Sequence, residues 1–143
     1  MTNRSANAIW NGSLKEGIGN IKLSSGSFEG QYSFSSRFEE GTGTNPEELI
    51  AAAHASCISL QISATLGRKG FNPVSVDTTA KVTLRRVDDV PTITGIELTT
   101  IAEVPDVDEA TFQEVVADAK ANCIVSRALA AIPEITITAT LKS

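Results

Sequence analysis

The chain is poor in soft metal ligands, with two cysteines, one histidine and one methionine in 143 residues. Two cysteines and one histidine, with no Cys-x-x-Cys spacing, are too few for a structural zinc site. Basic residues are outnumbered, 12 Lys and Arg against 17 Asp and Glu, and the net charge is −5. An acidic chain without a basic cluster argues against nucleic acid or an anionic membrane surface as a partner. No apolar run is long and uninterrupted enough to span a bilayer. Met1 to Trp10 carries no apolar signal-peptide core. The expected compartment is therefore the cytoplasm, where two cysteines do not form a permanent crosslink; any pairing there is transient and redox-linked. Internal repeats and low-complexity segments are both missing.

What remains is an ordinary globular composition, 41% hydrophobic and 20% charged, long enough for one domain over residues 1–143 with a core of its own. The chain is organised around Asn45-Pro-Glu-Glu-Leu-Ile-Ala-Ala-Ala-His-Ala-Ser-Cys57. Asn45 is an N-cap and Pro46 suits the first helical position. Glu47 and Glu48 meet the positive end of the helix dipole, and Glu48 can close a capping box on the Asn45 amide. From Leu49 to Leu66 the helix is apolar or small on every side, the pattern of a buried helix. It stops near Lys69-Gly70.

Period-two alternation marks the strands. Before the helix, Trp10, Ile21 to Leu23 and Tyr32-Ser-Phe-Ser35 predict a small antiparallel sheet. Arg37-Phe38 then leads into the glycine-rich loop Glu39 to Thr44. After the helix, Val74 to Arg85 is the cleanest strand, and Asp88 to Pro91 reads as a turn. Ile96 to Val104 alternates again, with a slip at Gly95 that predicts a bulge. Asp108 caps an amphipathic helix, with Val107 and Phe112 as a hydrophobic staple. Asn122 reads as the cap of a short helix from Cys123 to about Ala131. Ile135 to Leu141 is a last strand. This order of elements is α+β.

Chemistry centres on Cys57, inside the long helix, and Cys123, at the start of a short one, where the dipole favours a thiolate. On the residues alone, two inert buried thiols stand as an equal alternative. His54 lies one turn before Cys57 and raises a Cys–His nucleophile. No third group orients it, and a packed or partly exposed histidine is the better reading. Arg37 lowers the pKa of a nearby thiolate, and Glu47 can hold that arginine by a bidentate pair; solvated loop charges are the alternative. Glu47 and Cys57 are about 15 Å apart along a straight helix. They meet only if two helices pack antiparallel about a twofold axis near Ala52, in the small-residue patch Ala51 to Ser56. This predicts a homodimer with shared sites.

Arg37-Phe38, Thr44-Asn-Pro-Glu through Cys57, and Ala119-Lys-Ala-Asn-Cys123 resemble the OsmC/Ohr family, the osmotically inducible and organic hydroperoxide resistance proteins. Trp10-Asn-Gly-Ser-Leu-Lys-Glu-Gly17, Gly70-Phe-Asn-Pro-Val-Ser-Val-Asp-Thr-Thr-Ala80, the terminal Leu141-Lys-Ser143 and His54 place the likeness in the OsmC branch. The resemblance implies an OsmC-like α+β fold of antiparallel sheets around a long buried helix, in an intertwined homodimer. It implies a thiol-dependent peroxidase that reduces organic hydroperoxides in oxidative or osmotic stress defence. Cys57 would be the peroxidatic thiol and Cys123 the resolving thiol. Arg37 would activate the thiolate, with Glu47 as its partner. A Cys57–Cys123 disulfide would be reduced by an external dithiol of lipoyl type, without metal or bound cofactor. Apolar walls would favour alkyl hydroperoxides, and Phe34, Phe38 and Ile58 are expected near the pocket. The alternative is a dimeric stress-response module whose disulfide is regulatory or structural and does not turn over. A hydrolase using Cys57 and His54 lacks an evident base.

Overall fold

The computed structural model describes residues 1–142, so Ser143 of the terminal Leu141-Lys-Ser motif lies outside them. The chain forms two compact units, Met1–Leu49 and the remainder from Ile50. In the first, β1 (Ala6–Asn11), β2 (Ile18–Leu23) and β3 (Glu29–Tyr32) form an antiparallel sheet in that order. Gly19 pairs with both Trp10 and Tyr32. A strand glycine presents no side chain, and the two aromatic rings meet across it at 5.4 Å between centroids.

The predicted strand through Tyr32-Ser-Phe-Ser ends at Tyr32. Phe34–Phe38 is instead a short helix, α1. Ser33 caps it by accepting from the Ser36 amide, and the Ser36 hydroxyl accepts from the Ser33 amide. Serine favours such local bonds over a ladder, which period-two counting does not register. Asn45 caps the long helix α2 (Pro46–Arg68) as expected, accepting from the Glu48 amide at 2.8 Å. Glu48 does not reach back to Asn45; its carboxylate takes the Thr44 hydroxyl at 2.7 Å. Helix α2 ends as predicted. Gly70 has φ +89°, and Phe71 and Gly70 donate to the carbonyls of Leu66 and Gly67, a Schellman arrangement.

The second unit holds a three-stranded sheet ordered β4 (Ser75–Val87), β5 (Val90–Glu103), β6 (Glu134–Leu141). Strands β4 and β5 are antiparallel, but β6 runs parallel to β5. That corrects the all-antiparallel expectation: α3 (Glu109–Asn122) and α4 (Ile124–Ala128) form a crossover that returns the chain in the same direction. The turn is only Asp88-Asp89, both at positive φ, with Val90 and Pro91 already in β5. The predicted slip is real, since Thr83 pairs with Gly95 and Leu84 with Ile93, leaving Thr94 as the extra residue.

The core joins Ile58, Ile62 and Leu66 of α2, Ile96, Leu98 and Ala102 of β5, and Phe112, Val115, Val116 and Ala119 of α3. Helix α2 is thus not buried all round. His54, Ile58, Ile62 and Leu66 face the core, while Ala52, Ala53, Ser56, Leu60 and Ala64 are exposed. Among the described residues, nothing covers the apolar side chains of that outer face. Nor is α2 too interrupted to span a bilayer by length and composition. Its mean hydropathy reaches 1.5 over 18 residues, because scattered serines and one histidine dilute the run without breaking it. Its inward face is already committed to a protein core.

Candidate active site

The site residues gather into two constellations, one in each unit. In the first, α1 and the start of α2 bring Arg37 and Glu47 together. Ser36 donates to the Thr44 carbonyl at 2.8 Å, and the Asn45 side chain donates to the Ser36 carbonyl at 2.9 Å. The Thr44 amide in turn donates to Gln31 on β3. These bonds tie α1 to the loop that starts α2 and fix Arg37 against Glu47. The guanidinium engages the carboxylate through Nε at 3.2 Å to each oxygen and Nη2 at 2.7 Å. That is the planar fork expected of a well-oriented pair. The bond to Glu47 raises the Arg37 pKa further, against the opposing effect of burial, so Arg37 is a permanent cation. Glu47 is nearly buried, whereas the Arg37 side chain is 41% exposed.

Beside this pair lies an apolar pocket of about 230 Å³ walled by Trp10, Leu14, Tyr32, Phe34, Phe38 and Pro46, with Arg37 in its lining. The Phe34 and Phe38 rings meet at 5.1 Å between centroids, tilted by 48°. Both were expected there. Ile58 was expected too, but it is fully buried in the core of the second unit, because chain proximity says nothing of the direction a helical side chain takes.

In the second unit Cys57 and Cys123 are neighbours, both free thiols, with their sulfurs 2.7 Å apart. Cys57 is half-buried and Cys123 fully buried. Asn122 does not cap the short helix. It is the last residue of α3, and its side chain donates to Asp118. Cys123 itself ends α3 and caps α4, its Sγ accepting from the Ser126 amide at 3.4 Å. Burial pushes the Cys57 thiol up, the bond with Cys123 adds to that, and the amides of Val125 and Ile124 oppose it. Burial also acts to raise Cys123, but bonds from Cys57, from the amide and hydroxyl of Ser126 and from Val125 outweigh it. The two thiols are thus shifted in opposite directions, Cys57 upward and Cys123 downward.

The sequence reading missed one partner. His54 is fully buried, with Nε2 at 2.7 Å from the Ser126 hydroxyl, while Nδ1 has no partner among the described residues. Burial lowers its pKa and keeps the ring neutral. The histidine is packed, as expected, but a third group does orient it. The available signal was positional: His54 is one turn before Cys57, and Ser126 is one turn after Cys123. Among the described residues no cluster of three His, Cys, Asp or Glu side chains could hold a metal ion.

Comparison with known proteins agrees with this architecture. The chain is 48% identical over 137 residues to the protein named Peroxiredoxin OsmC in Escherichia coli K12, covering 95% of this chain and 94% of that one. The Peroxiredoxin OsmC of Shigella flexneri matches to the same extent. The crystal structure of an OsmC-like protein from Mycoplasma pneumoniae superposes with a TM-score of 0.78 at 14% identity, over 99% of each chain. The organic hydroperoxide resistance protein OhrB of Bacillus subtilis gives 0.68 at 22% identity, over 96% of this chain and 98% of that one; both likenesses are of fold. Residues 39–138 match the OsmC family, described as OsmC-like protein, and together with the close E. coli relative this places the chain in the OsmC family.

Proposed function

We propose that the protein is a cysteine-based peroxidase that reduces organic hydroperoxides to alcohols in stress defence. The observation that carries this reading is the contact between Cys57 and Cys123, two thiols from separate elements adjacent beneath the surface, in a family whose E. coli relative is named a peroxiredoxin. The Cys57 thiolate attacks the terminal peroxide oxygen. The O–O bond breaks, the alkoxide leaves and takes a proton, and the sulfur is oxidised by two electrons to a sulfenic acid. Cys123 then attacks that sulfur, a disulfide forms and hydroxide leaves as water. An external dithiol, of lipoyl type in our reading, restores both thiols by exchange.

Cys57 is the half-exposed sulfur, so it is the one a peroxide can reach. Its own surroundings raise its pKa, so it needs a cation, and Arg37 held by Glu47 supplies one. An antiparallel twofold dimer through the uncovered outer face of α2 would bring one chain's Glu47 and Arg37 toward the other's Cys57. The apolar pocket lined by Phe34 and Phe38 supports alkyl over hydrogen peroxide.

The test measures loss of an alkyl hydroperoxide with a dithiol present. Wild type should turn over, Cys57→Ser should not, and Cys123→Ser should react once and then progress to sulfinic acid. Turnover surviving in Cys57→Ser would refute the assignment. A single stoichiometric oxidation in wild type, without recycling, would instead identify a non-turnover module with a regulatory disulfide.

A further inference from the structure

The chain has one tryptophan, one tyrosine and five phenylalanines. The tryptophan, the tyrosine and two of the phenylalanines line a single pocket, the apolar one beside Arg37, and all of it belongs to the first unit. Among the described residues, Phe112 is the only one of these rings in the buried core. The aromatic side chains are therefore gathered at a surface cavity rather than in the core. They form two walls. Trp10 and Tyr32, from β1 and β3, meet at 5.4 Å between centroids, and Phe34 and Phe38, both on α1, at 5.1 Å. The first wall is fixed. Trp10 Nε1 donates to the Gly12 carbonyl at 3.1 Å, and the Tyr32 hydroxyl donates to the Ile9 carbonyl at 3.3 Å. The Tyr32 ring also lies against Gly19, where a Cβ would overlap it. With both polar tips turned to backbone, ring carbon lines the cavity.

The volume, about 230 Å³, sets the size of the occupant. An apolar cavity of about 150 Å³ already holds benzene, so this one takes a single ring with a short arm. A long unbranched chain fills it with its first carbons and leaves the rest in water. Ring against ring adds attraction beyond the area buried, through offset and edge-to-face contacts; a methylene chain makes none of these. Arg37 is the only charged group lining the pocket among the described residues, so the polar peroxide end turns toward it and the organic group lies between the walls. We propose that this site selects compact arylalkyl hydroperoxides, with a single ring one or two carbons from the peroxide, and that Trp10 is its specificity-determining residue. The inference rests on the reading above, in which Arg37 serves the peroxide chemistry of Cys57. Trp10 is the informative position because the Phe38 ring also carries the Arg37 guanidinium, 5.2 Å from its centroid, so altering Phe38 disturbs the cation as well.

The experiment mixes reduced protein with 2-phenylethyl or n-octyl hydroperoxide, both primary and of equal carbon number, and follows loss of the Cys57 thiol by rapid quench and intact mass. The readout is the ratio of the two second-order rate constants. A partly misfolded preparation lowers both constants alike and leaves the ratio unchanged. Wild type should favour the aryl substrate about two- to tenfold, the worth of one aromatic pair. Trp10→Leu keeps an apolar wall and loses the ring, so the ratio should fall toward one. Trp10→Phe keeps a ring and should retain most of the preference. A wild-type ratio at or below one, a ratio that Trp10→Leu leaves unchanged, or a loss in Trp10→Phe as complete as in Trp10→Leu would overturn the assignment and leave the peroxidase reading in place. Should Cys57→Ser retain turnover, the peroxidase reading itself would fall instead.

Discussion

Arg37 and His54 show how differently two isolated side chains obtain their roles. Arg37 holds Glu47 through a forked bond that only a guanidinium can make, and the proposed mechanism depends on it. Arg37→Lys keeps the charge and loses the fork, so peroxide consumption should fall about tenfold or more, as for the loss of one charge-assisted bond. Arg37→Ala should lower it further. Steady-state peroxide assays check both, and unchanged rates would remove Arg37 from the mechanism. His54 is governed by burial. Its folded pKa lies below the ordinary value of 6.5, so the unfolded chain takes up a proton that the native protein refuses. Stability should fall as pH drops through about 6.5 and level off below the folded pKa. Melting temperatures measured across this window should show the fall, and His54→Gln should remove that part of it.

Among the elements, the β4–β5 hairpin carries a visible local conflict. Its two turn residues, Asp88 at φ 49° and Asp89 at φ 61°, both occupy the left-handed region. Two consecutive positive φ values define the turn that Asn-Gly fills with least strain. The double change Asp88→Asn and Asp89→Gly should stabilise the protein by about 0.5–1 kcal/mol, read as a higher denaturant midpoint at unchanged slope. A lower midpoint would show that the aspartates make contacts worth more than the strain. The ends of helix α2 illustrate the opposite case: the Asn45 cap, Pro46, the acidic first turn and the Gly70 stop all appear in the structure, although Glu48 bonds Thr44 instead of closing a capping box. The errors in reading elements occurred where serine bonding replaced alternation, at Ser33 to Ser36, and where a cysteine took the cap that asparagine would ordinarily hold, at Cys123.

For the whole molecule, the exposed apolar positions have the larger consequence. Leu60 on α2 is 72% exposed, amid exposed alanines. On the proposal that a second copy covers this face, Leu60→Glu should leave secondary structure intact and shift stability of the single chain by no more than about 0.5 kcal/mol. Sedimentation should move from two chains to one, and peroxide turnover should drop with it. A wild-type protein that sediments as one chain, or a variant that stays paired, would count against the shared site.

The sequence by itself determined the ends of α2, the strands β4 to β6, the bulge at Gly95 and the family, because capping, period-two alternation and motif spacing are local properties written within a few residues. It also named Cys57, Cys123, Arg37 and Glu47 as candidates. Only the tertiary structure decided which of these meet inside one chain: Arg37 with Glu47, and Cys57 with Cys123. It alone made β6 parallel to β5, left the outer face of α2 uncovered and set Ser126 against His54 across 72 residues of chain. Such pairings depend on how a crossover folds back and on which side of a helix a residue lies once the core has closed, and no short-range pattern encodes either.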